Sequence, residues 1–182
     1  MNKLTQKELD KMIAEHKDWL DTDGRFGSRF NASNIQAENL NFNKANLKNA
    51  FMHMFHITDS NLECVDLSKA HLSEVIFNKC TLNGTLLMDS SLLTFDITSS
   101  TIEASDFSGS YMSDCRFYDS VFNNISFICA NLINIQSHGV TFNNTKFSSA
   151  TFNRCDFKKA KFDRISYNSL PEKIQNTIGY WI

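Results

Sequence analysis

One proline and six glycines among 182 residues leave no material for a flexible linker or a proline-rich segment. The chain reads as a single domain, and its 42% apolar content is enough to bury a core at this length. The opening segment is too charged, and its apolar runs too short, for a signal peptide or a membrane span. Nucleophile elbow, P-loop and dinucleotide fingerprint are all missing. A pair of carboxylates occurs on any polar surface and does not argue for acid–base catalysis. The reading is a non-enzyme with no catalytic residue and no cofactor.

What is present is a rhythm. From Phe42 to Tyr167 every fifth residue is a large apolar side chain, with Ser137 the one exception among 26 positions. A period of five fits neither a helix at 3.6 nor a strand at 2.0. It calls for a solenoid in which a short unit stacks on copies of itself. Two residues before each of these sites lies a second, uncharged column, mostly Ala, Ser, Thr, Cys and Val. The other three positions are dominated by polar residues suited to a turn.

The two columns resemble the pentapeptide repeat family, with consensus A(D/N)LXX. The matches include Ala45-Asn46-Leu47, Ser60-Asn61-Leu62, Val65-Asp66-Leu67, Ser105-Asp106-Phe107, Ala130-Asn131-Leu132 and Cys155-Asp156-Phe157. The resemblance implies an all-β solenoid, a right-handed quadrilateral β-helix with four units per coil. At about 4.8 Å per coil, such a rod would be roughly 31 Å long. Upstream the rhythm is less regular: Phe30, Ile35 and Leu40 keep one spacing, Ala32 and Ala37 another. Two readings stand, a first coil with a two-residue slip near Leu40 or a connector outside the repeats.

Both ends carry cap signals, giving a division into residues 1–24, 25–169 and 170–182. Thr5 with Glu8 forms a capping box, and Leu4 with Leu9 a hydrophobic staple. Leu9, Met12, Ile13, His16, Trp19 and Leu20 then share one helical face, fit to cover the open first coil. Pro171 suits the start of a C-terminal helix. Ile178, Tyr180, Trp181 and Ile182 concentrate apolar area there. They are read as a simple cap or as a homodimer contact, the latter implied by relatives that associate through their C-terminal ends.

Cys80, Cys115 and Cys155 fall in the inward small column, whereas Cys64 and Cys129 point outward. Cys115 and Cys155 are two coils apart, about 10 Å, too far to bridge. Five unpaired thiols argue for a reducing compartment, so cytoplasmic is the default, with secretion as an effector kept open. His53, His56 and His71 have no carboxylate or cysteine to complete a metal shell, so no metal is expected.

Charge is uneven along the chain. Residues 59–119 hold ten acidic side chains against three basic ones, a net of −7. Some pentapeptide proteins mimic double-stranded DNA and bind type II topoisomerases, so the resemblance offers DNA gyrase or topoisomerase IV as partners. No direct nucleic-acid binding is expected. Three coils of duplex would carry about nine negatives, near the segment's −7. The whole rod nets −1, where DNA of that length would carry about eighteen. Asp89, Asp96, Glu103 and Asp106 are the candidate acidic face. The second surface feature is apolar: Leu86, Met88, Leu93, Tyr111, Ile128 and Ile133 cluster near one edge once the units are folded onto four sides. The leading function is a non-enzymatic protein-binding scaffold with an unidentified protein partner. The alternative is a DNA-mimicking gyrase binder that protects against an inhibitor.

Overall fold

The computed structural model, which describes residues 1–178, is a parallel β-solenoid of about seven turns. Strands pair in parallel with residues 20 positions away, as in Met112↔Leu132 and Phe122↔Phe142. Four five-residue units therefore make one coil, and the rod has four faces. We number them from the units of Phe51 (face one), His56 (two), Asn61 (three) and Asp66 (four). Faces one and two share a 12-stranded sheet, and face three carries a five-stranded one. Face four is held by isolated bridges such as Leu86↔Asp106 and Asp106↔Ser126.

One backbone device repeats throughout. The residue two after each inward central residue has positive φ, from Asn34 (56°) to Lys159 (67°). Most L-residues avoid that region, and Asn, Asp and Gly enter it most readily. Here Asn and Asp hold many of these corners, and Gly84, Gly109 and Gly139 hold three. On face four each unit is a hydrogen-bonded turn, for example Ala70 N–H to Leu67 C=O at 3.0 Å. The Asn or Asp of the consensus closes it: Asp66 Oδ1 accepts from Ser68 N–H, and Asp106 Oδ1 from Ser108 N–H at 2.8 Å.

Central and small columns fuse into one core along the rod axis. Phenylalanines stack coil on coil, with Phe107, Phe127 and Phe147 spaced 5.0 and 5.3 Å between ring centroids. Buried hydroxyls in the small column satisfy backbone groups that no turn carbonyl reaches. Ser100 Oγ accepts from Cys80 N–H at 3.0 Å, and Ser105 Oγ from Thr85 N–H at 3.1 Å.

Two expectations need correction. The first coil contains no slip, and it is no connector. Asn31–Glu38 pairs in the regular register, with Ala32↔Met52 and Ala37↔Ile57. The two columns exchange sizes there: the central sites hold alanine, and Phe30, Ile35 and Leu40 fill the neighbouring column. At the other end, the unit expected around Tyr167 is helical. Ser137 sits in a regular strand beside Phe117, without a bulge. Its buried hydroxyl has no hydrogen-bond partner among the described residues.

Both ends are closed. Strand β1 (Asn2–Leu4) pairs with the outer edge of β2 (Asn31–Glu38), which pairs onward with β3 (Phe51–Thr58). Helix α1 (Gln6–Asp21) starts at Thr5 with both bonds of the capping box. Leu9 and His16 are fully buried under it. Gly27 (φ 73°) lets the chain turn back against the helix, since a Cβ there would lie 2.1 Å from the Glu15 carbonyl oxygen. Downstream, α2 (Arg164–Ser169) is capped by Asp163, and α3 (Glu172–Ile178) follows Pro171. Ser166 Oγ accepts from Thr145 N–H at 2.9 Å, as a small-column serine would.

Candidate protein-binding face

The 20-residue coil decides which outward side chains meet. On face one the two outward columns read Phe51, His71, Ser91, Tyr111, Asn131, Thr151 and His53, Ser73, Leu93, Ser113, Ile133, Asn153. No Asp, Glu, Lys or Arg occurs in either column. Tyr111 is 43% exposed, and Leu93 and Phe51 are each 39% exposed. Met54, at the corner beyond His53, is exposed as well. Side chains are short or ring-shaped, and the parallel ladder holds them in fixed register. Charge appears only at the flanking corners, as Lys69 and Asp89 on one side and Glu74, Asp114 and Arg154 on the other.

Of the six apolar candidates, Leu93, Tyr111 and Ile133 stand on face one, and Leu86, Met88 and Ile128 on the adjoining face four. They do not form an unbroken patch. Ser113 lies between Leu93 and Ile133, and Ser108 one coil above Met88 and one below Ile128. Sequence reasoning missed Phe51 and His71, whose signal was their place in the column of Tyr111 three and two coils earlier, and Met54 at the adjoining corner.

The four candidate carboxylates do not share a face. Asp89 is at the corner between faces four and one, Asp96 is on face two, Glu103 on face three and Asp106 on face four. They encircle the rod within about one coil. Asp96 is also buried and takes a bidentate pair from Arg116, at 3.0 and 2.7 Å. That pairing raises the Arg116 pKa and removes Asp96 as a free negative charge. Asp106 is engaged in its own turn.

Face two carries the polar network. Tyr118 donates to Gln136 Oε1 at 2.6 Å and stacks on His138, whose Nε2 lies 3.6 Å from Asp156. Asp156 has its pKa lowered first by the Lys158 backbone N–H bond. No group of three metal-ligating side chains, His53, His56 and His71 included, occurs among the described residues. Burial pushes the Cys80 thiol up to about 11 and the Cys115 thiol up to about 12, whereas Cys64 and Cys129 are exposed. Ile178 packs partly against this chain's own core. Tyr180, Trp181 and Ile182, also named as a dimer contact, lie outside the described residues. No helix among the described residues is long and apolar enough to cross a membrane.

Comparison with known proteins adds the following. The family model described as pentapeptide repeats matches eight copies, over residues 56–92 and 138–165. No curated protein matches the chain. Full-length QnrB1, a plasmid-mediated fluoroquinolone resistance protein, is a solved structure with 15% identity. The match covers 93% of this chain and 86% of that one, with a TM-score of 0.45. A trypsin-treated QnrB1 variant gives 19% identity over 71% and 74%, with a TM-score of 0.46. Rfr23 from the cyanobacterium Cyanothece 51142 gives 16% identity over 83% and 99%, with a TM-score of 0.37.

Proposed function

The chain is a pentapeptide repeat protein, and from that premise we propose that it is a non-enzymatic scaffold that binds a protein through face one. The observation that carries this reading is the absence of Asp, Glu, Lys and Arg from both outward columns of that face. Interface cores are depleted in Lys, Glu and Asp and enriched in aromatic residues. A rigid ladder of short side chains also loses little conformational freedom when it is covered. Phe51, Tyr111, Leu93 and Ile133 supply the apolar contacts, and the serines and asparagines between them supply hydrogen bonds.

The test is quantitative capture of partners from the native host. Leu93→Arg with Tyr111→Arg should abolish a capture that the wild type makes. Thr101→Arg, on face three, should retain it. Equal capture by all three folded proteins would remove face one from the reading. A gyrase-directed role has one supporting feature, the net −7 of residues 59–119. The encircling carboxylates lack the paired stripes of a duplex, so this reading ranks second. Supercoiling by gyrase, with and without a quinolone, should respond to excess protein if it holds, and more weakly as salt rises. No change in either activity or drug sensitivity would end it.

A further inference from the structure

We propose that His16 is a pH-operated latch that holds the N-terminal cap on the first coil. Its ring is fully buried, and both nitrogens are in use. Nδ1 accepts from the Phe30 N–H at 2.9 Å, and Nε2 lies 3.1 Å from the Lys48 carbonyl oxygen, which only an N–H there can satisfy. The ring is therefore neutral, with its proton on Nε2. One side chain of α1 thus ties the helix to the entry of the first coil and to its fourth side. Trp19 stacks on the ring at 5.5 Å, and Phe30 meets it edge-on at 6.3 Å.

Protonation would dismantle this arrangement. An imidazolium has no acceptor, so the Phe30 N–H would lose its partner while a charge was buried. Arg29, just before β2, faces the ring with like charge. Lys48 contributes its carbonyl and turns its ammonium to Asp66 at 3.1 Å. On α1, Glu15 is paired with Lys11, and Lys17 with Asp21. No carboxylate is bonded to the ring among the described residues. Burial is the first cause that lowers the His16 pKa; the Lys48 bond opposes it and Arg29 adds to it.

The sign follows. A released His16 binds a proton from about pH 6.5 downward, and the latched one only at lower pH. Attachment of the cap is complete above about 6.5 and weakens as pH falls towards the latched pKa. Glu8 of the capping box is held below its ordinary pKa by Thr5, so it stays ionised through the upper part of that window.

Amide exchange of the full chain tests this between pH 7.5 and 5, with Ile97 in the core as internal reference. Phe30 protection, corrected for intrinsic exchange, should fall about tenfold per pH unit below about 6.5. It should level off at the latched pKa, Ile97 should not change, and His16→Gln should lose the dependence. Ring titration by NMR should show the Nε2–H tautomer at pH 7.5 and a pKa below 6.5. Phe30 protection independent of pH, the same slope in His16→Gln, or a ring pKa at or above 6.5 would each overturn the latch. If His16→Gln does not fold, the wild-type exchange and the ring titration decide.

Discussion

Two buried serines in the same core have opposite bonding. Ser100 Oγ accepts from Cys80 N–H, donates to Thr98 C=O and so closes two backbone groups. Ser137 Oγ has no such partner among the described residues. Ser100→Ala should therefore destabilise the fold by about 1–3 kcal/mol, because a buried N–H is left unpaired. Ser137→Ala should be neutral or stabilising, because it removes an unpaired hydroxyl from an apolar layer. Urea denaturation of both variants gives the comparison, and a loss of stability in Ser137→Ala would show that its hydroxyl is satisfied. Thr94 holds a corner at φ 51°, a region β-branched residues avoid. Thr94→Asn should raise stability by up to about 1 kcal/mol, measurable as a higher Tm. Thiol labelling separates the cysteines: Cys64 and Cys129 should react first at pH 8, and Cys80 and Cys115 only as the protein unfolds.

At the scale of elements, the repeats were legible in the sequence and the ends only partly so. A central column of Phe, Leu, Ile and Met announces itself because each coil demands an inward side chain at the same step. The first coil was misjudged because Ala32 and Ala37 took the central sites while Phe30 and Leu40 took the small ones. Register survives such an exchange, but a size-based reading does not. Helix α2 was hidden because Ile165 and Tyr167 continue the five-residue rhythm, although Ile165 is 55% exposed and Ser166 turns inward instead. The helix signal lay in Asp163, whose side chain accepts from Ser166 N–H and Asn144 N–H. Asp163→Ala should cost about 1–2 kcal/mol and expose the last coil, as read by exchange of the Thr145 amide. At the other end, Gly27→Ala should detach α1, given its positive φ and the Glu15 carbonyl in the path of a Cβ.

Over the whole molecule, a surface site depends on position within a 20-residue coil. Counting charges along the chain gathered Asp89, Asp96, Glu103 and Asp106, which the coil then distributed around the rod. Residues 40 apart, such as Leu93 and Ile133, return to one column. The core, by contrast, answers only to the five-residue step. Leu87→Asp should unfold the rod, since its buried layer offers no partner for a carboxylate, and far-ultraviolet circular dichroism would show the loss of β signal.

These two spacings have a genetic consequence. Loss of one five-residue unit would leave a packed core but turn everything downstream by a quarter rotation relative to what precedes it. Removing residues 116–120, for instance, would carry Ile133 off the line of Leu93 and bring side chains from face two into its place. Loss of four units would shorten the rod and keep every downstream side in line. Gene copies that gain or lose repeats can thus re-dial their surface in ninety-degree clicks without redesigning the interior.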